Sequence, residues 1–312
     1  MPIRARFLAG AVAVIWGVNF VAIHVSLEPF PPLALAAFRF TLLAVPTLLL
    51  VPRPAVRWRW IIGYGTGFGV AQFAFLYLAM GAGMPAGVAS LVLQASAPLT
   101  VLLGSVLLRE RLAWWQVAGV AVAAAGLGGI ALRQAGPGDS AGPVPVVLVL
   151  LAALGWASGN ICARKASSAE PFRLMMWMTV VPPLPLFALS LLTEGPHRIA
   201  AAIAAIPAPT GLLAVAGLAY TVIVATVGGS GIWTALLSRH SSSVVAPYSM
   251  LVPVAGIAAS WLLLGERPSL AELGFGAVAV GGVLLASRSV PAAGHRGGYA
   301  TSNPEVTGNT AG

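Results

Sequence analysis

The chain has 312 residues, of which 58% are hydrophobic and 8% charged, with a formal net charge of +9. Charge is depleted about threefold against the roughly 25% of ordinary soluble domains, and 17 Lys and Arg with 8 Asp and Glu cannot clothe a protein of this length in water. A soluble globule is excluded, and so is a nucleic-acid-binding face, because the basic residues sit in short clusters between apolar runs.

Apolar runs bounded by Pro, Gly and charge predict ten membrane spans. The first, 7–27, follows Arg4 and Arg6 and is longer than a signal-peptide core, so it is read as a retained span. It carries Trp16, Asn19 and His24. The second, 33–51, holds Arg39. The third, 61–81, opens on Gly63, Gly65, Gly67 and Gly69 and continues through Gln72 and Tyr77. The fourth, 86–108, contains Gln94 and Pro98, and the fifth, 114–132, contains Gly119 and Gly126.

The sixth span, 144–163, carries Trp156 and Asn160, and the seventh, 173–193, carries Trp177. The eighth, 211–236, includes Gly228, Gly229, Ser230 and Gly231. Tyr248 and Pro253 lie in the ninth, 243–264, and Gly276 and Gly282 in the tenth, 270–287. The polar, Gly-rich stretch 288–312 reads as a disordered tail.

With the N-terminus inside, thirteen of the 17 basic residues fall on the cytoplasmic side: Arg4, Arg6, Arg53, Arg57, Arg59, Arg109, Arg111, Arg164, Lys165, Arg173, Arg239, Arg288 and Arg296. Arg133, Arg198 and Arg267 fall outside. One helix more or fewer would scatter the clusters over both faces, so a multi-pass protein of the plasma (inner) membrane with both termini cytoplasmic is predicted.

The halves resemble each other. Trp16-Gly17-Val18-Asn19 is echoed by Trp156-Ala157-Ser158-Gly159-Asn160; Pro98 through Glu110-Arg111 is echoed by Pro253 through Glu266-Arg267; and Gly119 and Gly126 are echoed by Gly276 and Gly282. A half with an odd number of crossings enters the membrane from opposite sides in its two copies. The prediction is an all-α integral membrane protein of two inverted five-helix repeats around a central cavity, the architecture of alternating-access carriers. The repeats are assigned to 1–135 and 136–287.

The stretches Trp16–Ile23, Pro31-Pro32-Leu33 through Arg39-Phe40, Gly63-Tyr64-Gly65, Ala71–Leu76, Met84–Ala95, Gly231-Ile232-Trp233, Val245-Ala246-Pro247 and Leu251–Val254 through Glu266-Arg267 resemble the EamA-type members of the drug/metabolite transporter superfamily. Within that family, Met84–Ala95 is similar to the bacterial cysteine and O-acetylserine exporters. The resemblance implies ten helices in a basket around a cavity and efflux of cysteine-pathway metabolites or other small amino acids. Those exporters usually carry Lys in the first span where this chain has His24.

Arg39 lies about six residues, or roughly 9 Å, inside its span, where an unpaired charge is costly. It is either a ligand for a substrate carboxylate, which a guanidinium can hold through two hydrogen bonds, or a strut bonded to the protein itself. Asn19, Gln72, Gln94 and Asn160 are amides in apolar surroundings, each a helix-to-helix tie or part of a polar site for a neutral zwitterion. Trp16, Tyr77, Trp156, Trp177 and Tyr248 are candidate walls of that site. His24 is the first group to weigh for proton coupling, and Pro98 and Pro253 are candidate hinges.

Cys162 is the lone cysteine, so no internal disulfide or cysteine-based metal cluster can form, and neither metal nor other cofactor is expected. The expected partners are a small-molecule substrate and the lipid bilayer, with no nucleic acid, the protein being a monomer or a homodimer. Inverted repeats serve an importer, or a broad-specificity metabolite or drug carrier, as well as an exporter. The Gly228-Gly229-Ser230-Gly231 run also matches intramembrane serine proteases, but His197, His240 and His295 fall outside the spans and His24 is remote in sequence. No enzyme is expected.

Overall fold

A computed structural model describes residues 2–109, 112–134, 143–240 and 242–287, and every regular element among them is helical. Eight helices are long and apolar enough to cross a bilayer: Ile3–Leu27, Pro32–Leu50, Trp58–Gly81, Ala86–Leu107, Trp114–Arg133, Val144–Ala166, Pro171–Thr193 and Pro209–Arg239. Two shorter apolar helices, Tyr248–Leu264 and Leu270–Ala286, complete the ten. The Glu110-Arg111 half of the repeat motif, the boundary at 135/136 and the tail 288–312 with His295 lie outside the described residues. So do Arg288 and Arg296.

The outer surface of the bundle is built for lipid. Leu49, Leu50, Leu184, Leu192, Leu262 and Leu263 are all exposed, and apolar area on that scale is unfavourable in water. The segment between the seventh and eighth spans, read from sequence as loop, contains a short helix, Pro196–Ala204. It buries Ile199 and Ala202 while leaving Ile203 exposed, an amphipathic pattern too short to stand out in a hydropathy reading.

The two halves interlock. The first span packs on the eighth and ninth, and the sixth span packs on the third and fourth, so each half lodges its first helix in the other. The fifth and tenth spans make the most extensive helix pair. There a Cβ on Gly119 would land against the Ala286 backbone nitrogen, and one on Gly282 against the Ala123 backbone nitrogen. Small residues let these backbones touch, which drives association where lipid removes the hydrophobic incentive.

Five spans depart from α-helical geometry: the seventh is broken by a turn between Met178 and Pro183, and the other four depart in pairs. The third and eighth spans each contain a π-helical stretch, Gly65–Ala71 and Tyr220–Gly229. The fourth and ninth are interrupted by 3₁₀ turns, Leu93–Ala95 and Ala246–Met250. Pro98 and Pro253 sit at the third position of the α-helices that resume after those turns, Ser96–Leu107 and Leu251–Leu264. A proline in the first turn has no intrahelical bond to break, so each marks the restart of a helix after an interruption.

The second and fourth spans begin after Pro31 and Pro85, whose side chains cannot accept a hydrogen bond and so cannot cap a helix. Carboxylates from the second half do so instead. Glu194 accepts from the Leu33 and Ala34 amides at 2.8 and 3.0 Å. Glu266 accepts from the Ala86 and Gly87 amides at 2.9 and 3.1 Å. Gly265, at φ 69°, ends the ninth span in a left-handed residue and turns the chain there. Replacing Glu266 by Ala orphans two partly buried donors at about 1–3 kcal/mol each. Purified Glu266→Ala is expected to melt several degrees lower, and an unchanged Tm would show that water replaces the carboxylate without loss.

Candidate functional site

Arg39 is 5% exposed and lies in the middle of the packed helices. Its Nη1 donates to the Tyr77 hydroxyl at 3.2 Å, and its Nη2 donates to Thr226 Oγ1 at 3.0 Å. The guanidinium carbon stands 3.8 Å from the centroid of the Phe73 ring and 5.4 Å from that of Phe40. Its Nε–H has no acceptor, and among the described residues no carboxylate forms an ion pair with it. Two neutral hydroxyls and an aromatic face soften the burial of the charge without neutralising it.

Thr226 belongs to the π-helical part of the eighth span, where its hydroxyl donates to the Thr221 carbonyl five residues back at 2.7 Å. That bond aims the oxygen's remaining lone pairs at Arg39. The same stretch is pinned to the first span: Trp16 Nε1 donates to the Ala225 carbonyl at 3.0 Å, and the Tyr220 hydroxyl donates to the Ile15 carbonyl at 3.0 Å. Trp16 also packs against Trp233, with centroids 5.3 Å apart. The second, third and eighth spans thus converge on the guanidinium, and the first braces them.

Of the four amides, Gln72 is 3% exposed and its Oε1 is buried without a hydrogen bond, as is Asn19 Oδ1. Asn160 Nδ2 donates to Thr100 Oγ1 at 3.2 Å, tying the sixth span to the fourth. Gln94 lies in the 3₁₀ turn of the fourth span and directs Nε2 at Met250 Sδ, 3.6 Å away in the matching turn of the ninth. The structure therefore separates two amides already used as ties from two with acceptor capacity to spare.

The aromatic candidates are spread along the bundle. Tyr77 contacts Arg39 directly, and Trp156 packs on Phe68, which in turn meets Phe73. Trp177 lies elsewhere: its Nε1 donates to the Val51 and Pro52 carbonyls, and its ring packs on Trp58 in a cluster with Ile61 and Leu174. Tyr248 packs beside Ala5, Ala9, Leu236 and Val245. His24 occupies the last turn of the first span, partly exposed, where a helix C-terminus favours a basic group. Phe73 and Thr226 were not singled out from sequence. A threonine within an apolar span was the available signal for the second, while nothing in the sequence distinguishes Phe73 from a packing residue.

Ten apolar helices in two interlocked halves, with a buried cation between them, define a multi-pass membrane transporter. The EamA-like transporter family model matches residues 4–132 and again 144–288, and the chain belongs to that family. It is 43% identical over 271 residues to a "Probable amino-acid metabolite efflux pump" of Salmonella typhimurium, covering 85% of this chain and 89% of that protein. It is 42% identical over 264 residues to a protein of the same description in Escherichia coli (strain K12), covering 83% and 87%. A "Probable terminal-alkyne amino-acid exporter" of Streptantibioticus cattleyicolor is 30% identical over 282 residues, covering 88% and 90%. A solved structure described as "Crystal structure of protein" aligns over 92% of this chain and 97% of its own, with TM-score 0.51 and 20% identity, a likeness of fold. As a member of a transporter family the chain is not an enzyme, and the glycine-flanked Ser230 simply opens the helix Ser230–Arg239 after the π stretch.

Proposed function

We propose that this protein exports small amino acids or their metabolites, of the cysteine and O-acetylserine kind, across the inner membrane by alternating access between its two inverted repeats. The observation that carries the reading is the buried Arg39 guanidinium, which uses only two of its five N–H groups, on Tyr77 and Thr226, and has no carboxylate partner among the described residues. A carboxylate arriving there gains charge-assisted hydrogen bonds in a medium where they are strong. The unpartnered acceptors on Asn19 and Gln72 suit an ammonium group. Spare guanidinium donors and two spare acceptors fit a zwitterion better than a simple anion or cation. Amino-acid efflux in the descriptions of the three relatives supports the same class and the outward direction.

The interrupted helices of the fourth and ninth spans touch through Gln94 and Met250, and discontinuous helices at a repeat interface are where carriers hold their substrates. The basic-residue distribution supports cytoplasmic termini. Counterflow in proteoliposomes tests the proposal: vesicles loaded with unlabelled O-acetylserine or cysteine are expected to accumulate the labelled compound transiently. Absence of exchange with every member of an amino-acid panel sinks it.

A further inference from the structure

The Arg-rich face of the bundle carries a shallow, open cleft lined by Arg53, Pro54, Ala55, Val56 and Arg57, all from the loop between the second and third spans. We propose that it seats the headgroup of an anionic phospholipid. Its floor is held in shape from within: Arg53 Nη2 donates to the Val56 carbonyl at 3.1 Å, and its guanidinium lies 4.4 Å over Trp58. Trp58 packs on Trp177, which holds the Val51 and Pro52 carbonyls at the start of the same loop.

Further cations follow the loop. Arg59 stacks over Trp60 at 4.6 Å, and Lys165, from the other repeat, approaches the same ring at 5.9 Å. The carboxylate that follows Lys165 in the next loop, Glu170, is committed to Arg173 at 2.6 Å. Stacked cations keep most of their hydration and their capacity to bind phosphate oxygens.

What selects a lipid over a soluble phosphate is the approach to the cleft. Leu48, Leu49 and Leu50, at 55%, 76% and 78% exposure, form the last turn of the second span immediately before the loop. An acyl chain lying along those leucines delivers its phosphate to Arg53 and Arg57, and indoles such as Trp58 and Trp60 are at home at that depth. Because Trp177 of the second half holds the Val51 and Pro52 carbonyls at the start of this loop, a headgroup bound to the loop rests on a contact between the repeats and favours the conformation in which they meet.

The test uses the purified full-length protein in neutral detergent with phosphatidylglycerol, phosphatidylcholine or soluble glycerol phosphate added. Phosphatidylglycerol is expected to raise Tm by about 5 °C and to survive on the protein in native mass spectrometry, with phosphatidylcholine and glycerol phosphate doing neither. Arg53→Gln with Arg57→Gln is expected to abolish the shift and cut lipid retention about tenfold. Arg57→Gln alone, at an exposed side chain outside the loop's internal bonding, is expected to give a partial loss and guards against misfolding of the double variant. An equal shift with phosphatidylcholine, a shift with glycerol phosphate alone, no shift with any lipid, or full retention by Arg57→Gln overturns the proposal.

Discussion

Arg39→Ala is expected to reduce amino-acid counterflow on the order of 100-fold while leaving the protein folded. Two charge-assisted hydrogen bonds to a substrate carboxylate, at roughly 1.5–3 kcal/mol each, account for a loss of that size. Stability should move the other way. The wild-type guanidinium is buried with no counter-ion among the described residues, so its removal relieves a desolvation penalty and the Tm of Arg39→Ala should equal or exceed that of the wild type. Arg39→Lys restores the charge but not the planar fork, and part of the loss should persist. If Arg39 were only a strut between Tyr77 and Thr226, the alanine variant would lose stability and keep its transport; that pattern would remove it from the site.

Gly282→Ala is expected to lower Tm by several degrees. A methyl group there meets the backbone nitrogen and Cα of Ala123 and the carbonyl of Gly119, neither of which can yield without parting the fifth and tenth spans. Overpacking of this kind costs about 1–3 kcal/mol, and each kcal/mol is worth about 2–4 °C in a protein of roughly this size. Its neighbour supplies the control. A Cβ on Gly281 meets nothing within 4 Å, so Gly281→Ala should be neutral or slightly stabilising through the lower chain entropy of alanine. Equal melting temperatures for the two variants would mean that the close approach does not carry the packing of this pair.

The parts of the fold that were legible in the sequence are those governed by transfer from water. Hydropathy located the long helices, and Gly119, Gly126, Gly276 and Gly282, read in the sequence as an echo between the halves, turn out to be contact residues: the first two and Gly282 lie where the fifth and tenth spans meet, and Gly276 lies against Leu91 of the fourth. Prolines flagged the interrupted fourth and ninth spans, though only coordinates show that Pro98 and Pro253 begin new helical segments. The π-helical stretches gave no warning. An extra residue per turn has no compositional signature, and glycine-rich runs in a membrane helix are explained equally well by close packing. Thr226 was missed for that reason, since it reaches Arg39 from inside such a stretch.

Partnerships between distant side chains were the other illegible part. Glu266 could be placed at a helix end, but not on the amides of Ala86 and Gly87, about 180 residues earlier in the chain. Asn160 and Gln72 looked alike as amides in apolar helices. Only their neighbours separate a donor already bound to Thr100 from an acceptor with no bond.

The lodging of each first helix in the opposite half has a consequence for biosynthesis. Trp16 finds its acceptor, the Ala225 carbonyl, 209 residues further along the chain. At a synthesis rate of roughly 5–20 residues per second, that is on the order of 10–40 s during which the first span waits in the bilayer without its mate. Asn19 and the Trp16 indole must spend that interval facing lipid, water or insertion machinery, and the half already made cannot close on itself. The nascent protein therefore matures late, when its final three crossings arrive.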